Sequence, residues 1–275
     1  VTGSGIVIET RQFEEITRIC VSREINGKPY YWVAAYLVDG LLIDTGCDRC
    51  SEEFMEYLKG RDVQLVVNTH YHEDHVGSNA RIKESIGAEI YAHQEAVPLI
   101  RQPPQIAPFR EFTWGLPQPS EVKALDGCVE TRNFRFEVID TPGHCRGHVA
   151  LLERSRGWCF TGDLYIGERL KVAGLENDMA AMVASLRKLE KLDTDRLMLF
   201  TSLRTVLPDG RRALRKAISW FETLAQNVKA LGKKGTPVPV IVDELFGGET
   251  VFLKISGGEL SCANMVRLIL EAQEI

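Results

Sequence analysis

The chain has 275 residues, 44% hydrophobic and 26% charged, enough for one large core and unlike a disordered, fibrous or disulfide-stapled sequence. Its net charge of −5 argues against nucleic acid as the main partner, because phosphate-tracking surfaces are basic. Seven scattered cysteines, odd in number, point to a reducing, cytoplasmic compartment, and no apolar run approaches the roughly 20 residues that span a bilayer.

The first apolar stretch, YYWVAAYLVDGLLID, reads as buried strands at 33–38 and 41–44 around an Asp39-Gly40 hairpin turn. A helical pattern at 52–59, a strand at 65–68 and a helix at 79–86 follow. Between Pro98 and Pro119 lie six of the eleven prolines, interleaved with Phe109, Phe112 and Trp114. This predicts an irregular loop without regular helix or sheet, of the kind that forms lids or substrate walls. From Phe134 a second series begins, with strands at 136–140, 149–153 and 158–161. An amphipathic helix capped by Asp178 and carrying Met179, Met182, Val183, Leu186 and Leu189 comes next, then a strand at 196–201. Two similar halves of this kind suggest two sheets packed face to face with helices outside.

After Thr205 the composition changes. A long amphipathic helix at 210–231 is closed by Gly232 as its stop, a Gly/Pro/Lys linker runs over 232–239, and a last helix starts near Ser261. Residues 1–205 therefore read as the main domain and 206–275 as a mainly helical extension that does not fold alone. Its helices are left with two roles, a cap on the site or a homodimer interface. The basic cluster Arg211, Arg212, Arg215 and Lys216 reads as a solvated helix face.

The chemistry concentrates in residues 69–75, Thr-His-Tyr-His-Glu-Asp-His, immediately after a strand. Alternate histidines His70 and His72 reach one side, while Asp74 and His75 turn toward a neighbouring point, which suits two adjacent metal sites. A zincin helix is excluded, since that motif needs a second histidine four residues after the first and Val76 stands four after His72. Asp44-Thr45-Gly46 has no second copy to make an aspartic protease dyad, so Asp44 is expected to orient the metal loop. Cys47 and Cys50 read as free thiols, and His93 as a strand-end residue without a metal role.

The chain resembles the metallo-β-lactamase superfamily, including its glyoxalase II and lactonase-like members. His70-Tyr-His-Glu-Asp-His75 matches the H-x-H-x-D-H signature, and LIDTG (42–46), TPGHCRGH (141–148) and FTGDLY (160–165) follow in order. The resemblance implies an α/β fold, a four-layer αββα sandwich with the C-terminal helical appendage added. It also implies a metal centre at the rim, with His70, His72 and His148 in a first site, Asp74 and His75 in a second, and Asp163 bridging both. On the same basis His144 is expected to support a ligand from behind or to be structural. The implied activity is hydrolysis by metal-bound hydroxide of an ester, thioester or lactone-like small molecule, with Asp74 orienting the nucleophile or moving its proton.

One departure stands out. Relatives with two metals supply a further histidine after the strand near 196–201, where this chain has Thr-Ser-Leu-Arg, and no histidine follows His148. Leu203 is read as occupying that place. The expected metals are zinc in a firm first site, with the carboxylate-rich second site weak or better suited to manganese or iron. Two other functions stay open: a mononuclear iron dioxygenase acting on sulfur compounds, and a degenerate member that binds without turnover.

Overall fold

A computed structural model describes residues 5–275. Two sheets lie between layers of helix. The first has seven strands in the order β1 (Ile6–Phe13), β2 (Ile16–Ile25), β3 (Lys28–Val38), β4 (Leu41–Ile43), β5 (Leu65–Asn68), β6 (Glu89–Ala92) and β7 (Lys123–Ala124). The second has six: β8 (Cys128–Glu130), β9 (Arg135–Asp140), β10 (Val149–Glu153), β11 (Trp158–Gly162), β12 (Met198–Thr201) and β13 (Val206–Leu207), hydrogen-bonded in chain order. β1 to β4 pair antiparallel and β4 to β7 parallel, and in the second sheet only β11 and β12 are parallel.

The layering follows from side-chain alternation with period two on strands buried on both faces. Leu41, Ile43 and Val67 point into the space between the sheets, where they meet Phe136, Leu151, Trp158, Phe160 and Phe200. Their neighbours Leu42 and Val66 point outward onto Phe54, Leu58 and Ile82 of helices α1 (Ser51–Leu58) and α3 (Asn79–Ser85). On the second sheet Ala150, Leu152 and Leu199 turn outward to α6 (Met179–Glu190) and the C-terminal helices. Asp178 caps α6 by accepting from the Ala181 N–H at 2.9 Å. The Asp39-Gly40 turn is as expected: both residues have positive φ, 47° and 82°, the two-residue hairpin geometry that Asp-Gly favours.

Three expectations need correction. The proline-rich stretch contains two short helices, α4 (Val97–Arg101) and α5 (Pro108–Trp114). In each the proline sits in the first turn, where its missing N–H has no intrahelical partner to lose. The helix α7 (Gly210–Lys233) runs through Gly232, and the left-handed residue comes later, at Gly235. The supposed linker already begins α8 (Val238–Phe246), again with a proline in its first turn. It is followed by α9 (Val251–Ile255) and α10 (Cys262–Glu271). Among the described residues no helix is long and apolar enough to cross a membrane.

Candidate metal centre

Strands β4, β5, β11 and β12 all end at one rim of the sandwich, where loops after parallel strands gather functional groups. β5 delivers Thr69 and His70, and the chain then turns through His72 into the single-turn helix α2 (Glu73–Val76). Backbone and side-chain bonds pin this loop. The His75 carbonyl accepts from Thr45 N at 2.9 Å and from Asn68 Nδ2 at 3.1 Å. Gly77 is required here, because a Cβ would lie 2.2 Å from the Asp48 amide nitrogen.

Proton bookkeeping shows which ring nitrogens are bare. Thr69 Oγ1 donates to Asp44 Oδ2 at 2.9 Å, so its contact with His70 Nδ1 at 3.0 Å is one it accepts. His70 therefore carries its proton on Nδ1 and presents a bare Nε2. Glu176 can only accept when ionised, so His72 Nε2–H donates to Glu176 Oε1 at 2.8 Å and leaves Nδ1 bare. These two lone pairs lie 3.1 Å apart, and His144 Nε2 lies 3.0 Å from His72 Nδ1. Two lone pairs cannot hydrogen-bond each other. Their spacing is close to the ~3.3 Å edge of a tetrahedron of nitrogens around zinc. Burial holds His70 well below the usual histidine range and His144 at about 4, so both rings are neutral, the form that ligates.

Beside this triad is a second group. Asp44, held in a left-handed conformation at φ 60°, accepts from Thr69 N at 2.7 Å and from His75 Nδ1 at 2.8 Å. Asp44 thus orients His75 as expected, and His75 Nε2 faces Asp163 Oδ1 at 3.2 Å and Asp74 Oδ2 at 3.6 Å. Both His75 Nε2 and Asp163 Oδ1 are buried without a well-aligned hydrogen-bond partner. Burial opposes charge on His75, but Asp44, Asp74 and Asp163 together outweigh it and hold its pKa well above the usual range. Burial raises Asp74 to about 6. Asp163 is also buried, yet His75 and His144 draw its pKa well below the carboxylate range. Orphaned donor atoms inside a ring of carboxylates fit a metal cation.

His148 is elsewhere. Its Nδ1 meets Thr141 Oγ1 at 2.9 Å, and its Nε2 accepts the backbone N–H of Asp163 at 3.1 Å. Both nitrogens are committed, so the expectation that His148 completes the first site is corrected: the structure brings His144 to that place. His148 instead positions Asp163, across Gly162, where a Cβ would come within 2.7 Å of His148 Nε2.

The model of the metallo-beta-lactamase superfamily matches residues 33–201, more than half of the chain and every residue of this centre. The chain belongs to the metallo-beta-lactamase superfamily. It is a metallohydrolase of that superfamily with a metal-binding histidine cluster. A hydroxyacylglutathione hydrolase of Haemophilus influenzae is 30% identical over 168 residues, 56% of this chain and 75% of the relative. A probable metallo-hydrolase of Methanocaldococcus jannaschii is 27% identical over 147 residues, 51% of this chain and 70% of the relative. A superfamily member from Thermus thermophilus shares the fold over 96% of this chain and 92% of its own, with a TM-score of 0.66 at 19% identity. A protein solved in a di-iron-bound form has a TM-score of 0.54 at 26% identity, over 66% of this chain and 91% of its own.

Within this superfamily frame, several residues escaped the sequence reading. Glu176, from the loop before α6, accepts from His72 and from the Tyr71 hydroxyl. A carboxylate behind a ligating imidazole fixes its tautomer. Glu73, 2% exposed, is gripped by Arg110 of α5 through bonds of 2.7 and 2.8 Å, and Arg110 also reaches Glu259 at 3.0 Å. These residues, with Pro103, Pro104 and Ile106, border a cavity of about 300 Å³ beside His72. Ser202 is the buried residue of the β12–β13 loop that faces Asp163, while Leu203 is half-buried beside it. The loop in which a histidine was expected thus places buried Ser202 and half-buried Leu203 next to each other at the second site. His93 sits after β6, 3.6 Å from Asp140, and all seven cysteines are free.

Proposed function

We propose that this protein hydrolyses a small thioester or related ester or lactone, with zinc held by His70, His72 and His144. A second, weaker site would draw on Asp74, His75 and Asp163. The observation that carries the reading is the convergence of His70 Nε2, His72 Nδ1 and His144 Nε2, with the far nitrogens of His70 and His72 committed to Thr69 and Glu176 and the His144 ring kept neutral by burial. The similarity to hydroxyacylglutathione hydrolases supports a thioester over a phosphodiester. So does the acidic balance of the chain, which disfavours nucleic acid.

A zinc ion there supplies Lewis acidity toward the carbonyl oxygen and a water acidic enough to attack near neutral pH. The chain does the rest. Asp74, whose pKa burial raises and whose Oδ2 lies 3.6 Å from His75 Nε2, is the carboxylate placed to align a nucleophile and relay its proton. Glu176 and Tyr71 hold His72 in one ring orientation. Pro103, Pro104, Ile106 and Pro117 give the cavity an apolar wall that fits an acyl group.

The test is hydrolysis of a hydroxyacyl-glutathione thioester, a simple acyl thioester, an ester and a lactone by zinc-loaded protein, with a chelator and His72→Ala as controls. Turnover of a thioester lost in both controls is expected; metal-loaded protein that turns over none of the four would overturn the reading. A second reading rests on a specific donor set: His70, His75 and Asp163 also lie within 4.8 Å of one another. Two histidines and one carboxylate suit iron that activates oxygen. Because His70 has one bare nitrogen, this set and the three-histidine set compete for it. Oxygen uptake by iron-loaded protein with a persulfide or thiol substrate would favour the iron reading. Ligand binding without turnover under either metal would point to a non-catalytic member.

A further inference from the structure

One sulfur lies inside the group that the hydrolase reading assigns to zinc. Cys145 follows His144 in the T-P-G-H-C-R-G-H loop, is 2% exposed, and is a free thiol. Its Sγ and the donor nitrogens of His70, His72 and His144 all lie within 4.8 Å of one another. The other buried cysteines of the chain have apolar surroundings: Cys20 joins the core between the sheets, Cys47 and Cys50 pack with α1, and Cys159 and Cys262 lie on the far side of the second sheet. Cys145 belongs to none of these three apolar clusters and faces imidazoles.

We propose that Cys145 is a fourth protein ligand of the first metal site, a displaceable thiolate that closes the coordination shell in the resting protein. The inference rests on the hydrolase reading and deepens it. Three imidazoles leave one tetrahedral position for water or substrate. A thiolate in that position turns an open site into a closed one, the arrangement of structural zinc. In a tetrahedral zinc site the sulfur-to-nitrogen edge is about 3.6 Å, from metal distances of about 2.3 Å to sulfur and 2.0–2.1 Å to nitrogen. The 4.8 Å span of the group leaves a shift of about 1 Å at most, within reach of a χ1 adjustment. Binding is a proton exchange: the thiol S–H breaks, the sulfur lone pair binds the metal, and the proton leaves to solvent. Water or a substrate oxygen regains the position when the thiolate is displaced and reprotonated, so the sulfur sets the fraction of protein ready to react.

Reconstitution of the full chain with cobalt(II) separates this inference from the reading on which it rests. Histidine ligation is seen in the visible d–d bands and thiolate ligation in a near-ultraviolet sulfur-to-cobalt charge-transfer band. The expected result is both in the parent, and loss of the charge-transfer band with the visible bands retained in Cys145→Ser and in Cys145→Ala. Cobalt affinity should fall roughly 10–100-fold in both, at least the change that loss of an outer-shell partner causes. X-ray absorption of the zinc form should show one sulfur near 2.3 Å in the parent only. Visible bands without the charge-transfer band in the parent, or a band unchanged in both variants, would overturn the thiolate ligand and leave the hydrolase reading standing. No cobalt uptake at all would overturn both.

Discussion

His144→Ala should abolish tight binding of one metal, because it removes a neutral imidazole whose Nε2 lies 3.0 Å from His72 Nδ1. His148→Ala should act differently. It leaves the buried Asp163 N–H without its acceptor, at about 1–3 kcal/mol of stability, with the three-histidine site intact. Metal titration and thermal unfolding of the two variants check the division of labour. Ser202→His is expected to raise the metal content from one tightly held ion per chain to two, since Ser202 faces Asp163. Leu203→His should leave it at one. Elemental analysis after dialysis decides, and a parent that already holds two ions would mean that some other group completes the second site. At this scale the T-H-Y-H-E-D-H run was legible because donor chemistry is a property of residue type. The choice between His144 and His148 was not, because it depends on which nitrogen the Thr141 hydroxyl and the Asp163 amide already occupy.

The helix α5 is tied to the metal loop by one side chain. Arg110 is largely buried and makes a two-bond pair with the buried carboxylate of Glu73. Arg110→Met should therefore destabilise the protein by about 3–5 kcal/mol, the cost of leaving a buried charge unpaired, whereas Arg110→Met with Glu73→Gln should recover much of that loss. Urea unfolding of the two single variants and the double variant closes the cycle. A weaker link joins α3, β6 and the edge strand β7: Glu89 of β6 pairs with Lys83 of α3 at 2.9 Å and with Lys123 of β7 at 2.7 Å. The two lysines lower its pKa from the ordinary 4.5 to about 2. A depressed folded pKa means that the unfolded chain binds the proton first on acidification. The pair's contribution is thus full above pH 4.5 and lost as pH falls toward 2. Glu89→Gln should flatten that part of the stability profile slightly, and less in high salt, because the pair is exposed. The strands and amphipathic helices could be placed from periodicity. The two proline-capped helices at 97–101 and 108–114 were hidden, since proline marks a helix start and a helix break alike.

Over the whole molecule, the C-terminal helices share one core with the second sheet. Leu214, Phe221 and Val228 of α7 and Met265 and Ile269 of α10 are packed in the cluster that contains Leu152, Leu186 and Leu199. We expect the regions 1–205 and 206–275 to unfold together, in a single transition by calorimetry and by tryptophan fluorescence. Phe221→Ala should lower the whole transition by about 3–5 kcal/mol; a separate early step confined to the C-terminal region would show instead that the extension is an independent unit.

The sequence by itself determined the two-sheet sandwich, because alternating apolar residues on strands must be buried on both faces and helical stripes must cover what remains. It also determined that a metal centre lies after β5, because three histidines and two acids in seven residues have few other uses. Only the tertiary structure decided which histidine joins His70 and His72, that Glu176 and Arg110 brace the loop, that Ser202 faces the second site, and that Cys145 stands among the imidazoles. These are contacts between residues far apart in the chain or between alternative neighbours within one loop. Such contacts are set by strand ends, backbone turns and the occupancy of individual lone pairs, none of which is a property of local residue order.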